Sequence, residues 1–373
     1  MMRPMKLAGE QLMFGRGCLE FLSQLDTRRA MIVTGGSSME KSGILGKVRE
    51  YLARAGAETD VFSGVEPDPS FETVLKGAAR FRAFEPDLIV ALGGGSAMDA
   101  AKMMWVYYEH PELTSLQAVL PPNPFPKLRG RARLCCIPST SGSASEVSRS
   151  VVITEGGIKH GIGNMEMMPD IAILDPEVTA TMPKAITAET GMDAMTHALE
   201  AYASTRANYL SDVLAIQAVR DIAAHLPRAY EDGGDLTARE GMLNASMVAG
   251  LAFTNVSLGI VHSIAHTVGS FFHVPHGLAL AVIYPRWMEE VAQDKAPAMR
   301  RLAAALETTV AEALAEPGAD GNPSALPAGD RNAPERCAQL LRVLFLHWGA
   351  PAGLSHWGVS EGDVGRLDRK SVV

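Results

Sequence analysis

The chain carries ten histidines, and four of them, His262, His266, His273 and His276, crowd into positions 262 to 276. His262 and His266 are spaced i, i+4 in a segment of helical period, so their imidazoles share a face. His276 stands between Pro275 and Gly277, where the chain must change direction. Far upstream, Asp193 and His197 repeat the i, i+4 spacing within Gly191-Met192-Asp193-Ala194-Met195-Thr196-His197. All are set among Ala, Met, Ile and Val, where an unpartnered charge is costly. Two apolar helices that each offer ligands on one face can pinch a divalent ion. Spacing does not say which of the four clustered histidines bind. His273, after Phe271-Phe272, also reads as a capping or packing residue. His110, His160, His225, His347 and His356 are isolated and read as surface or packing residues.

A second kind of chemistry lies in the first half. Asp87-Leu88-Ile89-Val90-Ala91-Leu92 reads as a buried strand, and Gly93-Gly94-Gly95-Ser96 separates it from a helical stretch, Ser96 to Tyr108. Glycines let a backbone approach a pyrophosphate, and the N–H groups and dipole at the helix start then hold the anion. A plain turn has no need of three consecutive glycines, and the spacing departs from GxGxxG. After another strand, Arg133 to Pro138, comes Pro138-Ser139-Thr140-Ser141-Gly142-Ser143-Ala144-Ser145-Glu146. Its hydroxyls and amides can hydrogen-bond phosphate, ribose or an amide; an ordinary polar loop has the same composition.

The elements that must position these groups follow from periodicity. Ala30 to Thr34 and Thr59 to Phe62 read as strands, and Gly43 to Ala55 and Phe71 to Phe84 as helices. Alternating apolar strands and helices specify a parallel sheet covered by helices. From Ile186 onward the segments are long, Ala-rich and helical, among them Thr190 to Ala203 and Asn208 to Leu226. The fold class is therefore α/β plus all-α, with the boundary between Leu174 and Pro183. Residues 316–335, rich in Pro, Gly, Ala and Asp, read as a loose surface insertion. The net charge of −8 needs no basic face, which argues against a nucleic-acid partner. No apolar run reaches the length of a membrane span, and no signal peptide is evident at the N-terminus. Cys18, Cys135, Cys136 and Cys337, without a CxxC spacing, read as reduced cysteines of a cytoplasmic protein.

Three motifs together resemble the iron-dependent (group III) alcohol dehydrogenase family over nearly the whole chain. They are Gly93-Gly94-Gly95-Ser96-Ala97-Met98-Asp99-Ala100-Ala101-Lys102, the hydroxyl-rich stretch 138–148, and Gly259 to Gly277 with its histidines. The stretch from Leu92 to Pro111 is similar to the alcohol dehydrogenase half of bifunctional aldehyde–alcohol dehydrogenases. The resemblance implies a Rossmann-like dinucleotide-binding domain over residues 1–182, a helical metal-binding domain over residues 183–373, and an active site in a cleft between the two domains. It implies the metal ligands Asp193, His197, His262 and His276, with His266 unligated nearby as a proton relay. It also implies cofactor contacts at Gly94, Gly95, Ser96, Asp99, Thr140, Ser143 and Ser148, and a substrate pocket that includes Phe253. The expected reaction is hydride transfer between a small primary alcohol or aldehyde and NAD(P)(H), with Fe(II) or Zn(II), in a homo-oligomer.

Relatives that prefer NAD often place an Asp directly after the first strand; here Thr34 is followed by Gly35-Gly36-Ser37-Ser38. Without that carboxylate, NADP(H) is expected to be accepted and preferred, with Lys41 available to its phosphate. A dehydroquinate-synthase-like metal-dependent lyase shares the architecture, but its phosphorylated sugar acid would call for basic residues that the stretch 248–283 lacks. An inactive truncated fragment is the other alternative: family chains continue past Gly358 to Leu367, and Asp368 to Val373 read as the translation of a sequencing-adapter end, which predicts uncovered apolar surface.

Overall fold

The computed structural model describes residues 5–291, 302–304, 306–307, 333–360 and 363. The chain divides into two compact units, Met1–Thr181 and Met182–Val373. Most of the stretch read as an insertion, and the terminal residues Asp368 to Val373, lie outside the described residues.

The first unit is built on a six-stranded parallel sheet: β1 (Gln11–Phe14), β2 (Arg29–Thr34), β3 (Glu58–Phe62), β4 (Leu88–Gly93), β5 (Arg133–Pro138) and β8 (Ile171–Leu174). The spatial order is β1-β8-β5-β4-β2-β3. A hairpin of β6 (Ser150–Glu155) and β7 (Ile158–Gly163) stands apart from it. Helices α3 (Phe71–Phe84) and α4 (Gly95–Glu109) cover one face, packing on Met31, Val33, Ile89, Ala91, Leu134 and Cys136. Helix α2 (Ile44–Arg54) covers the other, packing on Ala30, Ile32, Leu88, Val90, Leu92, Cys135 and Ile137. Alternate residues of each central strand thus enter different cores, which is why these strands are continuous apolar runs. It also explains the neighbouring buried cysteines, which pack on opposite faces; none of the four cysteines forms a disulfide.

The sequence reading located β2 to β5 and missed β1, β6, β7 and β8. Strand β1, Gln-Leu-Met-Phe, is a short edge strand paired on one side to β8. Strand β6, Ser-Val-Val-Ile-Thr-Glu, holds only three consecutive apolar residues, and β7 is polar and glycine-containing, so neither shows a long apolar run. Asp87 is a clamp rather than part of β4: its carboxylate accepts hydrogen bonds from Thr27 Oγ1 at 2.6 Å and from the amides of Arg28 and Arg29 at 3.1 Å.

The second unit is helical: α6 (Lys184–Ala203), α7 (Tyr209–Glu231), α8 (Leu236–Val256), α9 (Ile260–Phe272), α10 (His276–Val291) and α11 (Ala333–His347), after the short α1 (Ser38–Lys41) and α5 (Pro176–Thr179) of the first unit. Helix α7 starts on a capping box, with Asn208 accepting from the amides of Leu210 and Ser211 and Ser211 Oγ accepting from the amide of Asn208. It continues through Pro227 to Glu231, although proline removes a helix N–H, because Leu226, Pro227 and Ala229 are all buried. Arg239 of α8 is 1% exposed, yet its guanidinium donates to Gly233 O, Thr187 Oγ1 and Met182 O at 2.7 to 3.0 Å, tying α8 to the start of α6. Helices α8 and α9 meet at a bend of 106°, and no single helix among the described residues is long and apolar enough to cross a membrane.

Candidate metal and cofactor sites

Helix α6 presents Asp193, His197 and Glu200 at i, i+4 and i+7, one face of two turns. Asp193 is 8% exposed, His197 5% and His262, on α9, 3%. Helix α10 adds its first residue, His276. Gly277 makes that approach possible, since a Cβ there would overlap the Glu189 carbonyl of α6. The Nε2 atoms of His197, His262 and His276 lie 3.7, 3.6 and 3.7 Å from the single oxygen Asp193 Oδ1. The ligand atoms of Asp193, His262 and His276 all fall within 4.8 Å of one another.

These separations exceed hydrogen-bond length, and Asp193 Oδ1 and His262 Nε2 are buried with no hydrogen-bond partner. Orphaned buried polar atoms are costly unless something joins them. Ligands that share an ion, each about 2.0 to 2.2 Å from it, stand at such separations from one another. Three imidazoles and one carboxylate match the donor preferences of Fe(II) and Zn(II). Burial opposes ionisation of Asp193, but the imidazoles of His197, His276 and His262 outweigh it and hold the carboxyl well below the usual range.

The other two residues expected here flank the cluster. His266 stacks on His276 with ring centroids 4.9 Å apart and meets His262 edge-on at 6.4 Å. Phe253, near the end of α8, stacks on His197 at 4.5 Å. His273, the remaining clustered histidine, takes a left-handed conformation at the end of α9 and is exposed. The sequence reading missed Glu200, whose carboxylate accepts from His262 Nδ1 at 2.6 Å and from the amides of Gly259 and Val261 at 2.9 Å. Its one signal was its position on the Asp193–His197 face.

In the first unit the phosphate-loop candidates gather at the carboxyl ends of neighbouring strands. The chain reverses its direction across the sheet between β2 and β4, the kind of switch point at which open α/β sheets bind ligands. Gly94 caps α4, and Gly95 opens it. A Cβ on Gly95 would lie 2.9 Å from Ser143 Oγ, and one on Gly94 3.4 Å from Thr140 Cγ2. The hydroxyl loop therefore lies directly against the glycine turn. A Cβ on Gly93 would come 3.9 Å from the Gly35 nitrogen, so the turn after β2 is adjacent as well. Gly36 and Ser37 are exposed in that turn. Ser96 Oγ accepts from the Asp68 amide at 3.3 Å.

Asp99 and Ser148 are engaged in the protein's own hydrogen bonds. Asp99 accepts from Ser145 Oγ at 2.8 Å and from the Val152 amide at 2.9 Å. Ser148 is 3% exposed, and its hydroxyl accepts from the Ser150 amide at 3.1 Å. Between them lies Lys102, fully buried, which donates to Ser145 Oγ, Ser148 O and Ser150 O at 2.8 to 3.2 Å. Burial pushes the ammonium pKa down and the Asp99 carboxyl up, and each offsets part of the other's shift. The pair fastens the hydroxyl loop and the β6 strand to α4.

Residues 9–176 match the family described as iron-containing alcohol dehydrogenase, and residues 187–371 match the C-terminal part of the Fe-containing alcohol dehydrogenase family. An NADPH-dependent butanol dehydrogenase of Clostridium saccharobutylicum is 50% identical over 274 residues, 73% of this chain and 70% of that protein. The bifunctional aldehyde-alcohol dehydrogenase AdhE of Escherichia coli (strain K12) is 38% identical over 370 residues, 95% of this chain and 41% of that longer protein. The solved iron-containing alcohol dehydrogenase of Thermococcus thioreducens superposes with a TM-score of 0.84 at 32% identity, covering 99% of this chain and 92% of that one. With an orphaned carboxylate among three imidazoles in one unit, a glycine turn at the sheet's switch point in the other, and these matches along both, the chain belongs to the iron-containing alcohol dehydrogenase family.

Proposed function

We propose that this alcohol dehydrogenase interconverts short aliphatic primary alcohols and aldehydes, holds one divalent ion, and prefers NADP(H). The observation that carries the metal reading is the convergence of three Nε2 atoms on the partnerless Asp193 Oδ1. Asp193, His197, His262 and His276 would hold the ion, and Asp193 offsets part of its charge. When bound, a divalent ion supplies Lewis-acid polarisation of an alcohol or carbonyl oxygen. A bound nicotinamide would supply the redox chemistry, as acceptor or donor of the hydride. His266, which lies beside His276 and is partly exposed, would pass the alcohol's proton toward water. Phe253 packs on His197 and would give the substrate an apolar wall.

Gly94, Gly95 and Ser96 at the start of α4 would take the pyrophosphate, with Thr140 and Ser143 alongside. Gly35, Gly36 and Ser37 bring no carboxylate to repel a 2′-phosphate. The name of the Clostridium relative, an NADPH-dependent butanol dehydrogenase, agrees with both the cofactor and the substrate size. The lyase reading finds no support, because the stretch 248–283 contains no Lys or Arg. Four cysteines without a disulfide agree with a cytoplasmic enzyme; a homo-oligomer is the assembly that the family resemblance supports.

The test is turnover of short aldehydes by metal-loaded and chelator-stripped protein, with NADPH and NADH in parallel. Loaded protein should turn over, stripped protein should not, and NADPH should give the higher kcat/KM. Full activity after stripping refutes the metal reading, and a strong NADH preference refutes the cofactor reading.

A further inference from the structure

We infer that Glu200 is a positioning residue for the metal centre, setting the proton location and ring orientation of His262 and anchoring the helix that carries it. The inference rests on the ligand set proposed above and adds a residue that does not itself face the ion. Glu200 is 3% exposed, and such a carboxylate persists in a protein interior only when its oxygens are satisfied. Three donors do so. The Gly259 and Val261 amides belong to the unpaired N–H groups at the start of α9, and the third donor is His262 Nδ1. One side chain of α6 thus fixes where α9 begins and how its first ligand is turned.

The consequence is chemical. An imidazole that donates from Nδ1 carries its lone pair on Nε2, the atom that faces Asp193 Oδ1 at 3.6 Å. A carboxylate behind a ligating imidazole also makes it a stronger donor. Gly259 belongs to the same device: a Cβ there would lie 2.8 Å from Glu200 Oε1, so only glycine lets the helix start close on the carboxylate.

Glu200→Gln offers one acceptor oxygen where the carboxylate offers two, and Gly259→Ala crowds the same oxygen without removing its charge. Zinc affinity of the full-length variants, read by competition with a chromogenic chelator, should fall about 10- to 100-fold, while NADP+ binding and helical circular dichroism stay as in the parent. A Glu200 that served folding alone would lower the melting temperature and leave the zinc dissociation constant of the folded protein unchanged. That result, or zinc affinity within twofold of the parent in both variants, overturns the inference. His262→Ala separates the two readings: if it too binds zinc as the parent does, the ligand set itself is wrong, whereas loss in His262→Ala alone condemns only the role of Glu200. The parent protein provides a check that needs no variant. With histidine labelled in 15N, zinc-loaded protein should show His262 protonated at Nδ1, and protonation at Nε2 instead would also overturn the inference.

Discussion

Two histidines only four residues apart on α9 have different surroundings. His262 is enclosed, with Glu200 on Nδ1 and Asp193 facing Nε2, whereas His266 is partly exposed and rests its ring on His276. A ligand has to keep its lone pair on the ion, and a relay has to exchange a proton with water, so the two environments suit the two roles. His266→Ala is expected to retain one equivalent of metal by elemental analysis and to lose about 10²- to 10⁴-fold in kcat, the usual worth of a positioned acid–base group. Loss of the metal from that variant would show that His266 ligates. The i, i+4 pairs were legible in the chain because helical spacing alone puts them on one face. Glu200 was not, because a lone glutamate among alanines carries no sign that another helix will begin on top of it.

Among the elements, the loops after β2, β4 and β5 carry the proposed cofactor contacts, and parallel pairing brings their ends together in the order β5-β4-β2. Gly35 is the position where a single change should switch the preference. A Cβ there meets only Val65 O, at 3.5 Å, which is ordinary contact, so a side chain fits without moving the backbone. Gly35→Asp would place a carboxylate where it can accept from ribose hydroxyls and repel a 2′-phosphate. The ratio of kcat/KM for NADH over NADPH is expected to rise at least about tenfold, roughly 1.4 kcal/mol in relative transition-state binding. An unchanged ratio would mean that this turn does not read the 2′ position. The glycine turn itself could be read from composition. The fastening of the hydroxyl loop by Lys102 and Asp99 could not, because the lysine's partners are a serine hydroxyl and two backbone carbonyls more than 40 residues away in sequence.

At the scale of the whole molecule, the two compact units carry the two proposed sites: all four proposed metal ligands lie in Met182–Val373, and all the proposed phosphate contacts lie in Met1–Thr181. A ligand that binds only the folded state stabilises the part that holds it, by about 2.7 kcal/mol at 100 times its dissociation constant. Stripping the metal should therefore raise amide hydrogen exchange in α6 and α9, where the orphaned Asp193 and His262 would remain, and leave β2 and β4 protected. Adding NADP+ should slow exchange at the start of α4. Equal deprotection of β2 and α6 on metal removal would contradict this division of labour.

Local pattern was enough to reveal the α/β half, the helical half and the candidate residues for chemistry. Strands buried on both faces must be apolar throughout, helices must repeat every three to four residues, and a phosphate turn must give up its side chains. Each of these demands is met within a dozen consecutive residues. Strand β1 and the β6–β7 hairpin escaped notice because an edge strand and a hairpin outside the main sheet need no such run. Helix packing alone decided that three imidazole nitrogens converge on one oxygen of Asp193, that Gly277 admits His276 against α6, and that Glu200 lies behind His262. Those arrangements depend on contacts between helices about 60 to 90 residues apart along the chain, and at that separation spacing carries no information about which side chains meet.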